Sequence, residues 1–175
     1  GGRTLSAANV SKSWIGFEAE KFFEQGLSRD IPFANDADVA GIAEVRYGAA
    51  KGIEGLVILT TLGTGIGSAT IYDGVLVPNS ELGHLQRAGH KKDAEHFAAY
   101  SALEREELSW EKWAKRLQWY YDYVEFLFSP DLIVVGGGVS KHSEHFLPLL
   151  NLRAPILPAK HRNNAGIIGA ASLAV

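Results

Sequence analysis

Leu56-Val57-Ile58-Leu59-Thr60-Thr61-Leu62-Gly63-Thr64-Gly65-Ile66-Gly67-Ser68 is an apolar run that breaks into a turn rich in glycine and threonine. Its first five residues have the composition of a strand buried on both faces. In the turn, glycine lets the backbone come close to an anion and adopt positive φ, while N–H groups and threonine hydroxyls donate. A phosphate fits that description. The Gly-x-Gly-x-Gly spacing is neither the Rossmann fingerprint nor the lysine-bearing Walker loop, and the next element along the chain is a hairpin rather than a helix. That hairpin is residues 69–72, then Asp73-Gly74, then Val75-Leu76-Val77. The pattern speaks against a nicotinamide enzyme and a Walker-type ATPase. A tight glycine turn within a β-meander, with no ligand, accounts for the same residues.

Outward from this stretch, helical and strand signals alternate. Residues 92–103 read as a helix, and in a longer one after it Trp110, Trp113, Leu117, Tyr120, Val124 and Leu127 recur at helical spacing. Such a stripe predicts core packing or a dimer seam. Ser129-Pro130 ends that helix. Residues 131–135 form a second buried-strand run that closes on Gly136-Gly137-Gly138, with a helix after Ser140, and Asn163-Asn164-Ala165-Gly166 opens a final helix of small residues. Upstream, residues 17–25 predict a short helix stopped by Gly26, residues 31–34 a brief strand, and residues 38–47 a helix closed by Gly48. A polar connection over residues 51–55 marks a boundary between two lobes, residues 1–54 and 55–175.

Composition narrows the function classes. The 175 residues are 46% hydrophobic with a formal net charge of −3, which gives no overall attraction to nucleic acid or to an anionic membrane. Cysteine is absent, so disulfides, thiolate metal sites and cysteine nucleophiles are absent with it. No apolar run reaches the roughly 18 residues of a membrane span. A cytoplasmic location is the simplest reading.

Asp36 sits where a strand is expected to end, a place that suits a carboxylate receiving the proton of a phosphoryl acceptor. Either Asn35 or Asp36 would equally suit the N-cap of the following helix, and Asp38 would complement its dipole. Glu81, His84 and Glu95 are of the types that bridge sugar hydroxyls. Two histidines twelve apart, His84 and His96, make a weak metal pattern, and no metal ligands are assigned. Basic residues cluster at 87–92 and 112–116.

Six segments, taken in order, resemble the ROK family of sugar kinases, and within it the bacterial branch of polyphosphate/ATP-dependent glucokinases and glucomannokinases. They are Ala8-Asn9-Val10-Ser11-Lys12-Ser13-Trp14-Ile15-Gly16, Asn35-Asp36-Ala37-Asp38, Leu62-Gly63-Thr64-Gly65-Ile66-Gly67-Ser68, Pro78-Asn79-Ser80-Glu81-Leu82-Gly83-His84, Lys92-Asp93-Ala94-Glu95-His96 and Val134-Val135-Gly136-Gly137-Gly138-Val139-Ser140. The resemblance implies an α/β, actin-like ATPase fold of ribonuclease H-like lobes. The first lobe (1–54) would be incomplete and the second (55–175) complete, with a last helix near 164–175 packing back toward the region between them.

By the same resemblance, Asn9, Asn35, Glu81, His84 and Glu95 would hold the sugar, and Asp36 would be the base toward its 6-hydroxyl. Gly63, Thr64 and Gly65 would cradle the donor phosphates, with Gly137 and Gly138 against the nucleotide. Arg87, Lys91, Lys92, Lys115 and Arg116 are candidates for a track that guides a polymeric donor. The implied reaction moves a phosphoryl group from polyphosphate or ATP, with Mg²⁺, to glucose or mannose, in a cytoplasmic homodimer without nucleic-acid or membrane partners. Residues 87–93 lack the cysteines of the family's zinc motif, so structural zinc is not implied. The family's opening strand and Asp-x-Gly-Gly-Thr phosphate loop do not occur in this sequence, which implies the later two-thirds of such an enzyme, inactive by itself. A sugar-sensing, non-catalytic ROK protein and an ATP-only hexose kinase are the alternatives.

Overall fold

The computed structural model describes residues 2–5, 11–86 and 88–174. In chain order these residues form helices α1 (Ala19–Leu27) and α2 (Asp36–Tyr47), and strands β1 (Leu56–Leu62), β2 (Ile66–Tyr72) and β3 (Val75–Val77). Helices α3 (Ala94–Ala98), α4 (Tyr100–Arg105) and α5 (Trp110–Phe128) come next, then strands β4 (Leu132–Gly136) and β5 (Ile156–Pro158), and helix α6 (Ala165–Leu173). Short 3-10 turns connect them.

The strands make one mixed sheet in the order β3-β2-β1-β4-β5. β1 folds back on β2, with Leu62 opposite Ile66 across the glycine turn, and β2 on β3 across Asp73-Gly74, both at positive φ as a two-residue hairpin demands. β4 and β5 extend the sheet in parallel beside β1. Because side chains alternate along a strand, Val57, Leu59, Leu132 and Val134 pack with Ala40 and Ala43 of α2, whereas Ile58, Leu62, Ile133 and Val135 pack with α5. Helices on both faces explain why β1 and β4 read as continuous apolar runs. The arrangement is the mixed five-stranded sheet of a ribonuclease H-like lobe.

Helix α5 closes one face. Trp113, Leu117, Tyr120 and Val124 are fully buried against the sheet, so its stripe is core rather than a seam between copies. Leu127, still on the stripe, lies past the sheet and is 47% exposed. The Trp113 indole N–H donates to the Ala98 and Ala99 carbonyls, at 3.0 and 3.2 Å, and Tyr121 bonds Thr60 Oγ1 at 2.7 Å. On the other face α6 crosses α2 so closely that a Cβ at Gly169 would run into the Val39 carbonyl.

Four local expectations are corrected. Residues 31–34 form no strand, and Pro32 has no N–H to give to one; Asp36 stands at a helix start instead of a strand end. α1 runs through Gly26 and ends at Ser28, whose φ of 52° supplies the left-handed cap. The helix expected over residues 92–103 breaks at Ala99, which is extended and offers its carbonyl to Trp113. After Ser140 the chain takes a 3-10 path over Gly138–His145, kinked at His142. β5, flanked by Pro155 and ending in Pro158, carries no signal of its own in the sequence.

Candidate functional site

Helix α2 sets the first part of the site. Asn35 is its N-cap, accepting from the backbone N–H groups of Ala37 at 2.8 Å and Asp38 at 3.4 Å. Asp36 is the first helical residue; its Oδ1 also accepts the Ala37 N–H at 2.8 Å, and its exposed carboxylate opens onto a cleft of about 630 Å³. Two residues on, Asp38 is only 2% exposed. Its Oδ2 accepts the Asn79 N–H at 2.9 Å while Oδ1 has no partner, and burial, with Asp36 nearby, pushes its pKa up.

That contact anchors the loop after β3. Ser68 Oγ donates to the Ser80 carbonyl at 2.7 Å and accepts the Leu82 N–H at 2.8 Å, and Gly83 lies so close to the Ile66 carbonyl that no Cβ fits. The loop thereby delivers Glu81 and His84 to the cleft. His84 Nδ1 bonds Asp93 Oδ2 at 2.8 Å, and this bond raises the histidine's pKa against the opposing effect of burial, with Glu95 and Glu81 adding to it. Glu95, on α3, accepts the Ile66 N–H at 3.2 Å. The ligand atoms of His84, Asp93 and Glu95 lie within 4.8 Å of one another, a set that could also hold a metal ion.

The glycine turn forms the opposite wall. Positive φ was expected there, yet none of Gly63, Gly65 and Gly67 has it. Close approach is what requires glycine: a Cβ on Gly65 would strike the Glu95 carboxylate, and one on Gly67 would come within 2.5 Å of Thr61 Oγ1. A Cβ on Gly63 meets nothing within 4 Å, so its face is open to the cleft. The turn is tethered to α4 by Ser101, whose N–H donates to the Gly63 carbonyl at 3.0 Å and whose hydroxyl donates to the Thr64 carbonyl at 2.7 Å. Gly137, at φ 81°, packs its backbone on Leu62 and also lines the cleft.

Of the residues singled out in the sequence, Asn35, Asp36, Glu81, His84, Glu95, Gly63, Thr64, Gly65 and Gly137 line this one cleft. Gly138 lies just beyond its lining, and Asn9 and Arg87 lie outside the described residues. Lys91 and Lys92 line a hollow that adjoins Thr64. Lys115 is exposed on α5. Arg116 is folded inward, donating to the Phe97 carbonyl at 3.0 Å and pairing with Glu106, whose pKa falls to about 2 through that contact. Arg162 and Asn163 also line the cleft and were not singled out. The run Arg162-Asn163-Asn164 before an apolar helix was their only signal in the sequence.

Comparison with known proteins bears on the family and the fold. The ROK family model matches residues 3–93. The chain is 46% identical over 175 residues to a polyphosphate glucokinase of Mycobacterium tuberculosis, covering 99% of this chain and 65% of that protein. It therefore spans just under two-thirds of that relative's length. An inorganic polyphosphate/ATP-glucomannokinase from Arthrobacter sp. strain KM is 54% identical and superposes with a TM-score of 0.93, over 98% of this chain and 67% of that one. A ROK family glucokinase from Streptomyces griseus, solved with glucose and AMPPNP, is 24% identical and shares the fold at a TM-score of 0.85, over 98% of this chain and 77% of that one.

Proposed function

We propose, from the premise that this chain belongs to the ROK family, that it carries the sugar site and part of the donor site of an enzyme that phosphorylates glucose from polyphosphate or ATP. The observation that carries the reading is the juxtaposition, across one cleft, of the exposed Asp36 carboxylate with the open face of Gly63. Asp36 accepts the proton of the sugar 6-hydroxyl as that oxygen attacks the terminal phosphorus; the bond from phosphorus to the rest of the donor breaks, leaving a shortened polyphosphate or ADP. Asn35, Glu81, His84 and Glu95 orient the sugar hydroxyls, and Asn9 belongs to the same set. Gly63, Thr64 and Gly65, with Gly137 and Gly138, receive the donor. The likeness to a glucomannokinase supports mannose as a second acceptor.

Mg²⁺ bound to the donor neutralises phosphate charge in such reactions. The donor-side residues Gly63, Thr64, Gly65 and Gly137 bring no carboxylate to the cleft, so no residue of this chain is assigned to the ion and no step is routed through it.

A polymeric donor leaves the cleft past Thr64 toward Lys91 and Lys92, with Arg87 and the exposed Lys115 as further candidates, whereas Arg116 is already paired with Glu106; the hollow that joins Thr64 to the two lysines supports this path. Residues 1–54 and 55–175 are two lobes of one kinase, meeting where α2 lies on the sheet and on α6. The same reading carries a cytoplasmic homodimer, supported by Phe126, 78% exposed at the end of α5. Among the described residues no helix is long and apolar enough to cross a membrane.

The test is a coupled assay for glucose 6-phosphate on the protein as its organism makes it, with polyphosphate or ATP as sole donor. Asp36→Asn is expected to bind glucose and lose about two to four powers of ten in kcat. Turnover at the wild-type rate would remove Asp36 as base. Glucose binding without turnover in either form would instead favour a sugar sensor.

A further inference from the structure

We infer that Arg162 is the residue of this chain that grips the terminal phosphates of the donor, and that Glu44 is the positioning residue that holds Arg162 at the cleft; the inference rests on the phosphoryl-transfer reading. Asp36, Glu81 and Glu95 line the cleft with carboxylates, and among its described lining residues Arg162 brings the sole permanent positive charge. Such a wall suits the hydroxyls of a sugar and repels a polyanion. A guanidinium relieves that repulsion, and its planar fork matches two phosphate oxygens at once.

Arg162 differs from the arginines already committed to a partner. Arg46, Arg105, Arg116 and Arg153 each donate to a carbonyl or a carboxylate. The Arg162 side chain has no such partner among the described residues, and its φ of 48° is one that side chains with a Cβ rarely adopt. Such a conformation persists where the surroundings impose it. They do so here through Glu44, a fully buried carboxylate on α2. Its Oε1 accepts the His161 N–H at 2.9 Å, and its Oε2 accepts the N–H groups of Lys160 at 3.0 Å and Ala49 at 2.7 Å. The two residues before Arg162 are thus pinned to the helix that carries Asp36 at its other end. Gly48 makes room for the carboxylate, since a Cβ there would collide with Glu44 Oε2.

Isothermal titration with tripolyphosphate, with ATP and with glucose tests the inference on wild type, Arg162→Ala, Arg162→Lys, Glu44→Gln and the double variant Glu44→Gln/Arg162→Ala. Arg162→Ala is expected to weaken tripolyphosphate and ATP by about tenfold or more and to leave glucose affinity unchanged. Lysine recovers part of the loss, because it returns the charge without the fork. Glu44→Gln weakens tripolyphosphate by a smaller factor and adds nothing in the double variant, a coupling that a merely structural role would not produce. Unchanged tripolyphosphate affinity in Arg162→Ala overturns the assignment and leaves the phosphoryl-transfer reading standing, and strictly additive effects remove Glu44 from it. A wild-type protein that binds glucose but neither triphosphate also overturns the assignment; one that binds no glucose sinks the reading beneath it.

Discussion

Replacing Glu44 by alanine takes one buried acceptor away from three partly buried donors. The N–H groups of Ala49, Lys160 and His161 meet its carboxylate at 2.7, 3.0 and 2.9 Å, in a site where the side chain is fully buried. Leaving a buried donor unpaired costs about 1 to 3 kcal/mol, and hydrogen bonds to a charged group lie at the upper end. Water entering the vacated space recovers part of this, so the expected loss is about 3 to 5 kcal/mol rather than the full sum. For a chain of this size that corresponds to a fall in Tm of about 6 to 20 °C. Glutamine retains the shape and one acceptor oxygen, and its loss should be smaller. The assay is urea unfolding followed by fluorescence of the tryptophans, with both variants compared at equal slope. If Glu44→Ala unfolds within about 1 kcal/mol of wild type, the carboxylate does not clamp the loop to the helix.

Two further outcomes are expected at the site. Gly137→Ala forces a Cβ to within 2.6 Å of the Leu62 backbone nitrogen at a φ of 81°, and should cost about 2 to 4 kcal/mol in the same unfolding experiment while weakening ATP binding. The Asp93 bond raises the pKa of His84, so its contribution to stability is present in full below its ordinary pKa of 6.5 and is lost as pH rises through the raised folded value. Asp93→Asn should move the His84 ring titration, followed by NMR, down toward the ordinary value and flatten that loss; an unmoved titration would show that the bond does not control it.

The parts of the fold that were legible in the sequence are those in which burial imposes a period. β1 and β4 read as unbroken apolar runs because helices cover both faces, and α5 declared itself through the spacing of Trp113, Leu117, Tyr120 and Val124. The stretch 31–34 looked like a strand because local composition cannot say whether a neighbour exists to pair with it. β5 escaped notice because its three residues, preceded by one proline and ending in another, take their order from β4 and show no alternation of their own. At the site, Asn35 and Asp36 were interchangeable as caps until the backbone showed Asn35 extended at the cap and reaching the Asp38 N–H, while both side chains accept the Ala37 N–H. Arg162 was invisible for a different reason. What distinguishes it is a contact between residues more than a hundred positions apart, made by Glu44 with the backbone of Lys160 and His161.

Helix α2 also works as a spacer of fixed length. Eight residues separate Asp36 from Glu44, which at helical rise is about 12 Å between the end that faces the acceptor and the point where the donor-side loop is fastened. A single inserted or deleted residue between them would swing Glu44 by about 100° around the axis and detach the loop without touching any group that contacts substrate. Related chains should therefore tolerate length changes in the exposed stretch 88–92 and tolerate none within residues 37–43.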